Sequence, residues 1–152
     1  MKKTLFSMAL VLGLGAAYSL PAWSQAKPDV LVKQRQSAMA LQGKYFGPLN
    51  LMAQGKVPYN QQVVARNAEY LQVLSKMPWD GFVESTKGEK SAALPVVFTD
   101  QAKFKQLSER LESETAKLAQ VSKSGDEAAV KNQIGAVGKA CGACHEDFRE
   151  KR

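Results

Sequence analysis

Three chemically capable side chains crowd into five residues near the end of this sequence: Cys141, Cys144 and His145, within KACGACHEDFREKR at residues 139–152. They are the only two cysteines and the only histidine of the 152 residues. The spacing Cys-x-x-Cys-His narrows what they can do. A thioredoxin-like redox pair belongs beside a βαβ pattern, and the chain shows none. A closed structural zinc site takes four ligands, and no other Cys or His exists to complete the local three. A catalytic Cys–His pair would need Cys144 and His145 to converge, yet adjacent residues on a helix diverge by about 100°. Covalent haem attachment remains. Two thiols three residues apart reach the two vinyl groups of one porphyrin as thioethers, and the next residue presents its imidazole to the iron. Gly142 and Ala143 are small enough for a porphyrin to lie close to the backbone. The predicted cofactor is therefore haem c, held by Cys141 and Cys144, with His145 as the metal ligand.

A helix must present these residues, and the pattern around them supplies one. Val130, Ile134, Val137, Cys141, Cys144 and Phe148 follow one another at spacings of four, three, four, three and four. That keeps one face toward a core. His145, four after Cys141, is expected on the same inward face. This last helix starts at Asp126. Three others precede it. The first spans about residues 28–54, with Pro28 and Asp29 suited to a helix start and Gly47-Pro48 expected to bend or break it near its end. The second runs from Asn60, an N-cap, to Met77, where Pro78 stops it. Val63, Tyr70 and Leu74 share one face of it, with Asn67 between them. The third runs from Asp100 to Ser124-Gly125, with Phe104, Leu107, Leu111, Leu118 and Val121 as its stripe. Residues 78–99 form a long connection, of the kind that covers something. No stretch alternates as a strand. The predicted fold class is all-α, an antiparallel four-helix bundle with covalently bound haem.

The N-terminus reads as a signal peptide. Lys2 and Lys3 precede an apolar run over about residues 5–17, and Ser24-Gln25-Ala26 offers a small-residue cleavage site. The apolar run is short for a membrane span, and no second one follows. Cleavage after Ala26 leaves 27–152 as one haem domain and lowers the formal charge from +7 to +5, because Lys2 and Lys3 leave. No basic run with interleaved aromatics suggests nucleic acid, and no catalytic acid–base pair suggests an enzyme. Export implies an oxidising compartment, where a bare thiol pair would be oxidised. A haem-free helical module whose Cys-x-x-Cys is a disulfide or metal clip therefore stays open. A haem absorption spectrum separates it at once.

With signal peptide, four helices and the C-terminal motif in place, the chain resembles the class II c-type cytochromes, of which cytochrome c′ is the type. The resemblance covers the whole mature chain. It includes Lys33-Gln34-Arg35-Gln36-Ser37-Ala38-Met39, Gly55-Lys56-Val57-Pro58-Tyr59, Met77-Pro78-Trp79-Asp80-Gly81-Phe82 and Cys144-His145-Glu146-Asp147-Phe148-Arg149. It implies a periplasmic protein with one-electron redox chemistry and binding of NO and CO. Arg35 and Gln36 are then expected near the haem propionates, Trp79 and Phe82 as pocket walls, and Arg149 beside His145 on the proximal side. Met39 takes the place that faces the distal side of the haem. There it either packs, leaving five-coordinate high-spin iron, or ligates as the sixth ligand of a low-spin electron carrier. Packing is favoured, because it is the common role of methionine and because Arg35-Gln36 precedes Met39 in the c′-like way. The resemblance also implies a homodimer through the first two helices. The redox partner protein is not identified by the sequence.

Overall fold

The computed structural model describes residues 26–151. The expected leader, apart from Ala26, lies outside the described residues. Among the described residues four α-helices make up the fold: α1 (Pro28–Ala53), α2 (Gln61–Leu74), α3 (Gln101–Val121) and α4 (Glu127–Phe148). Helix α1 packs on α2 and α4, and α3 packs on α2 and α4, which closes a four-helix bundle. Side chains before three of the helices explain where these begin. Asn60 Oδ1 accepts from the Val63 N–H at 3.0 Å, Asp100 Oδ1 from Lys103 at 3.2 Å, and Asp126 Oδ1 from Ala129 at 3.0 Å. Each satisfies a backbone donor that the helix itself cannot. Helix α1 ends on Gly55 at φ 68°, where the Lys56 N–H bonds the Leu51 C=O and the Gly55 N–H bonds the Met52 C=O. Only glycine takes that left-handed turn without strain.

Three expectations need correction. Pro48 does not break α1, which continues through it to Ala53. The last turn is held by Leu49 and Met52, 0% and 7% exposed, so core packing outweighs the missing N–H. Helix α2 ends at Leu74, short of Met77, because residues 76 and 77 bond back three residues in tight turns before Pro78. Its buried face is also rotated: Val64, Asn67, Ala68, Leu71 and Leu74 are inside, whereas Tyr70 is 44% exposed and Val63 half-buried.

The bundle has two unlike ends. At one, Leu49, Val64, Leu118, Val130 and Ile134 are fully buried and pack together. They come from the late part of α1, the early part of α2, the late part of α3 and the early part of α4. At the other end the helices part around a cavity. Residues 78–99 cross this end as a strap with short 3₁₀ turns at Trp79–Gly81, Glu84–Thr86 and Pro95–Phe98. Backbone bonds fasten it to the end of α4: the Leu94 N–H donates to Phe148 C=O at 3.0 Å, and the Glu150 N–H to Ala92 C=O at 2.9 Å. The strap lies directly on α1 at Gly81, where a Cβ would come within 2.8 Å of the Leu31 carbonyl oxygen.

Candidate functional site

The cavity has a volume of about 560 Å³. That falls within the roughly 300–1,000 Å³ typical of cofactor and ligand sites. Every site residue singled out in the sequence lines it. Helix α1 contributes Arg35, Gln36 and Met39, the strap Trp79 and Phe82, and α4 Cys141, Cys144, His145 and Arg149.

Cys141 and Cys144 are half-buried free thiols. Burial pushes the Cys141 thiol up; burial, then Cys141, then Asp147 push Cys144 up to about 11. Both are therefore protonated at neutral pH, which suits neither a nucleophile nor a thiolate metal ligand. Among the described residues no cluster of three or more His, Cys, Asp or Glu side chains is placed to hold a metal ion. His145 departs from its expected place on the inward face: it is exposed, at the cavity rim. At about 100° per residue it lies about 60° from the centre of the stripe that Val130 and Phe148 define. Partial burial of its ring at that rim first, and Arg149 second, lower its pKa from the ordinary histidine value. Arg149 is the first residue past α4 and also shares a shallow surface cleft with His145, Glu150 and Lys151.

Arg35 is 3% exposed. Nη1 donates to the Gly81 C=O at 2.6 Å and to Thr86 Oγ1 at 3.0 Å, and Nη2 donates to Ser91 Oγ at 3.0 Å. Its guanidinium carbon sits 4.3 Å from the Phe82 ring centroid. All these partners are neutral, and no carboxylate pairs with it among the described residues. Burial accordingly lowers its pKa. Trp79 has the complementary problem: its indole N–H is buried and finds no acceptor among the described residues. Trp79 and Phe82 pack on Phe104, with ring centroids 5.8 and 4.9 Å away, and Phe104 on Phe148 at 5.3 Å. A buried cation lacking an anion and an N–H lacking an acceptor thus share one largely apolar cavity. They fit a flat apolar group with carboxylate edges, as haem is, beside the two thiols and the imidazole that such a group requires.

Sequence reasoning missed Gln42 and Phe46 on this wall. Continuing the four–three–four spacing of Arg35, Met39, Gln42 and Phe46 along α1 would have found both. Phe46 also explains Gly138, whose Cβ would stand 3.3 Å from the Phe46 ring.

A family model described as cytochrome c′ matches residues 30–149. A cytochrome c′ of Halomonas halodenitrificans is 38% identical over 130 residues, covering 82% of this chain and 98% of the relative. The solved structure of cytochrome c′ from Rubrivivax gelatinosus is 38% identical with a TM-score of 0.78, covering 82% of this chain and 98% of that one. A nitric oxide complex of a variant of the Alcaligenes xylosoxidans cytochrome c′ is 35% identical with a TM-score of 0.77, over 84% of this chain and 98% of that one. A carbon monoxide-bound variant of the same Alcaligenes protein has a TM-score of 0.76 and 36% identity, over 83% and 98%.

Proposed function

This chain belongs to the cytochrome c′ family, and from that premise we propose that it is a periplasmic cytochrome that binds NO and CO at a five-coordinate, high-spin ferrous haem. Residues 27–152 form the working domain after loss of the leader 1–26. Cys141 and Cys144 would hold haem c through thioethers, and His145 would ligate its iron. The group supplies one-electron redox chemistry and an open coordination position. The chain's own residues do the rest. Arg35 and the Trp79 N–H meet the carboxylate edge, Gln36 lies at the same end, Phe82 walls the pocket, and Arg149 sets a positive charge beside His145. Ligand binding and electron transfer need no acid–base pair, so the protein is not an enzyme. Relatives solved with nitric oxide and with carbon monoxide support the choice of ligands.

The observation that carries this reading is the cavity itself. It sets the Cys-x-x-Cys-His of α4 and Met39 of α1 on the walls of one apolar space. Met39 is half-buried there and fills space as a flexible apolar side chain. Exposed apolar residues on the first two helices support the homodimer: Leu41 and Leu51 on α1 are 40% and 41% exposed, Tyr70 and Val73 on α2 44% and 57%. Sedimentation of the purified protein tests that assembly.

The ferrous spin state tests the central claim. High-spin iron that binds CO without prior ligand loss is expected, and Met39→Ala should then only speed CO entry. A low-spin ferrous spectrum that turns high-spin only in Met39→Ala would sink the gas-binding reading. It would leave an electron carrier with His145 and Met39 as axial pair.

A further inference from the structure

Gln42 is a buried polar residue with no part in haem attachment. It sits one turn beyond Met39 on α1, lines the same cavity and is 8% exposed. Its Nε2 donates to the C=O of Leu74, the last residue of α2, at 3.0 Å. A backbone carbonyl can only accept, so the amide must turn its NH₂ toward Leu74. One N–H is thereby engaged. The other N–H and the Oε1 acceptor remain. No other hydrogen bond of the Gln42 side chain is formed among the described residues, and Met39, Phe46 and Leu71, which line the same cavity, carry no side-chain donor or good acceptor. Buried side-chain polar atoms normally find a partner, and an apolar side chain would have completed this wall without that demand. Spare hydrogen-bonding capacity beside a cavity is met by what enters the cavity.

We propose that Gln42 is the ligand-discriminating residue of the pocket: its free N–H donates to the outer atom of a diatomic ligand held in the part of the cavity that Met39 lines. This rests on the gas-binding reading above. A ligand whose outer atom gathers negative charge on binding accepts such a bond more strongly than CO does. The amide therefore favours NO over CO. The bond to Leu74 makes the donor preorganised, because the side chain is already fixed before any ligand arrives.

The test is the C–O stretch of the ferrous CO complex, with NO dissociation rates alongside, in the wild type, Gln42→Leu and Gln42→Met. Loss of the donor should move the stretch to higher frequency. It should also speed NO dissociation roughly two- to tenfold, the range for one net hydrogen bond. Both variants also break the tie to Leu74, so a lower melting temperature is expected whatever the role. If neither variant folds, the wild-type complex decides: exchange into D₂O shifts the band when an N–H bonds the ligand, and leaves it fixed otherwise. An unmoved stretch with unchanged NO dissociation in a folded variant, or an unmoved band in D₂O, overturns the assignment and leaves Gln42 as a tie between α1 and α2. A wild type that binds neither gas overturns the gas-binding reading itself, and this assignment with it.

Discussion

Arg35 carries a positive charge to a place where the protein offers it only neutral oxygens. A buried charge without a counter-charge is a liability unless something else supplies the anion. The cost of a substitution here therefore reports on that anion. In the haem-bearing protein, Arg35→Met should cost about 2–4 kcal/mol, since it removes charge-assisted bonds and strands their acceptors. Urea unfolding of the haem-bearing wild type and variant checks this, and an unchanged midpoint would argue that no anion faces Arg35. Arg35→Lys should recover little, because an ammonium cannot reproduce the guanidinium fork that spans Gly81, Thr86 and Ser91. This residue shows what was legible in sequence and what was not. A cation on a helix face that must be mostly buried can be read from spacing. Its partners Gly81, Thr86 and Ser91 cannot, because they lie in an irregular connection whose path obeys no periodicity. His145 was misplaced for a related reason: an i+4 neighbour is close to a stripe without being on it, and about 40° of drift from Cys141 was enough to bring it to the rim.

The strap, residues 78–99, is the element that closes the site, and its seat on α1 depends on Gly81. A Cβ there would approach the Leu31 carbonyl oxygen to 2.8 Å and Arg35 Cβ to 2.9 Å. The carbonyl belongs to a helix and cannot give way. Gly81→Ala should therefore lift the strap, lower stability by about 1–3 kcal/mol, and speed ligand entry together with the loss. A stable variant with unaltered CO kinetics would mean that the strap does not limit access. Pro48 offers an element-scale change of the opposite sign. It is exposed, sits inside α1 and supplies no N–H for the Lys44 carbonyl. Pro48→Ala should raise stability by about 1–2 kcal/mol, the regained helix bond less the proline's effect on the unfolded chain. The urea midpoint reads this out. The helix starts were legible because Asn60, Asp100 and Asp126 cap them by purely local chemistry. The α2 face was not, because Tyr70 and Val64 are both credible buried residues and only packing against α1 and α3 chooses between them.

At the scale of the whole molecule, the bundle is well packed at one end and cannot be at the other without an occupant. Leu49, Val64, Leu118 and Ile134 fill the first end completely. The second surrounds about 560 Å³. Were that space left empty, the known penalty per unit of cavity volume would give a loss on the order of 10 kcal/mol. That is comparable to the entire stability of a domain of this size. Cys141→Ala with Cys144→Ala, which removes both thiols that would anchor the group, should therefore not yield a native bundle with a hole in it. The packed end and the capped helix starts remain, so helical content should largely persist. Fixed aromatic packing around Trp79, Phe82 and Phe104 depends on the filled cavity and should be lost. The expected product keeps its far-UV circular dichroism, loses near-UV signals, binds a hydrophobic dye and unfolds without a sharp transition. A double variant that is free of pigment yet melts cooperatively, with native near-UV bands, would show that the helices close on one another unaided. The cavity would then be a consequence of the packing, and not a space shaped for a cofactor.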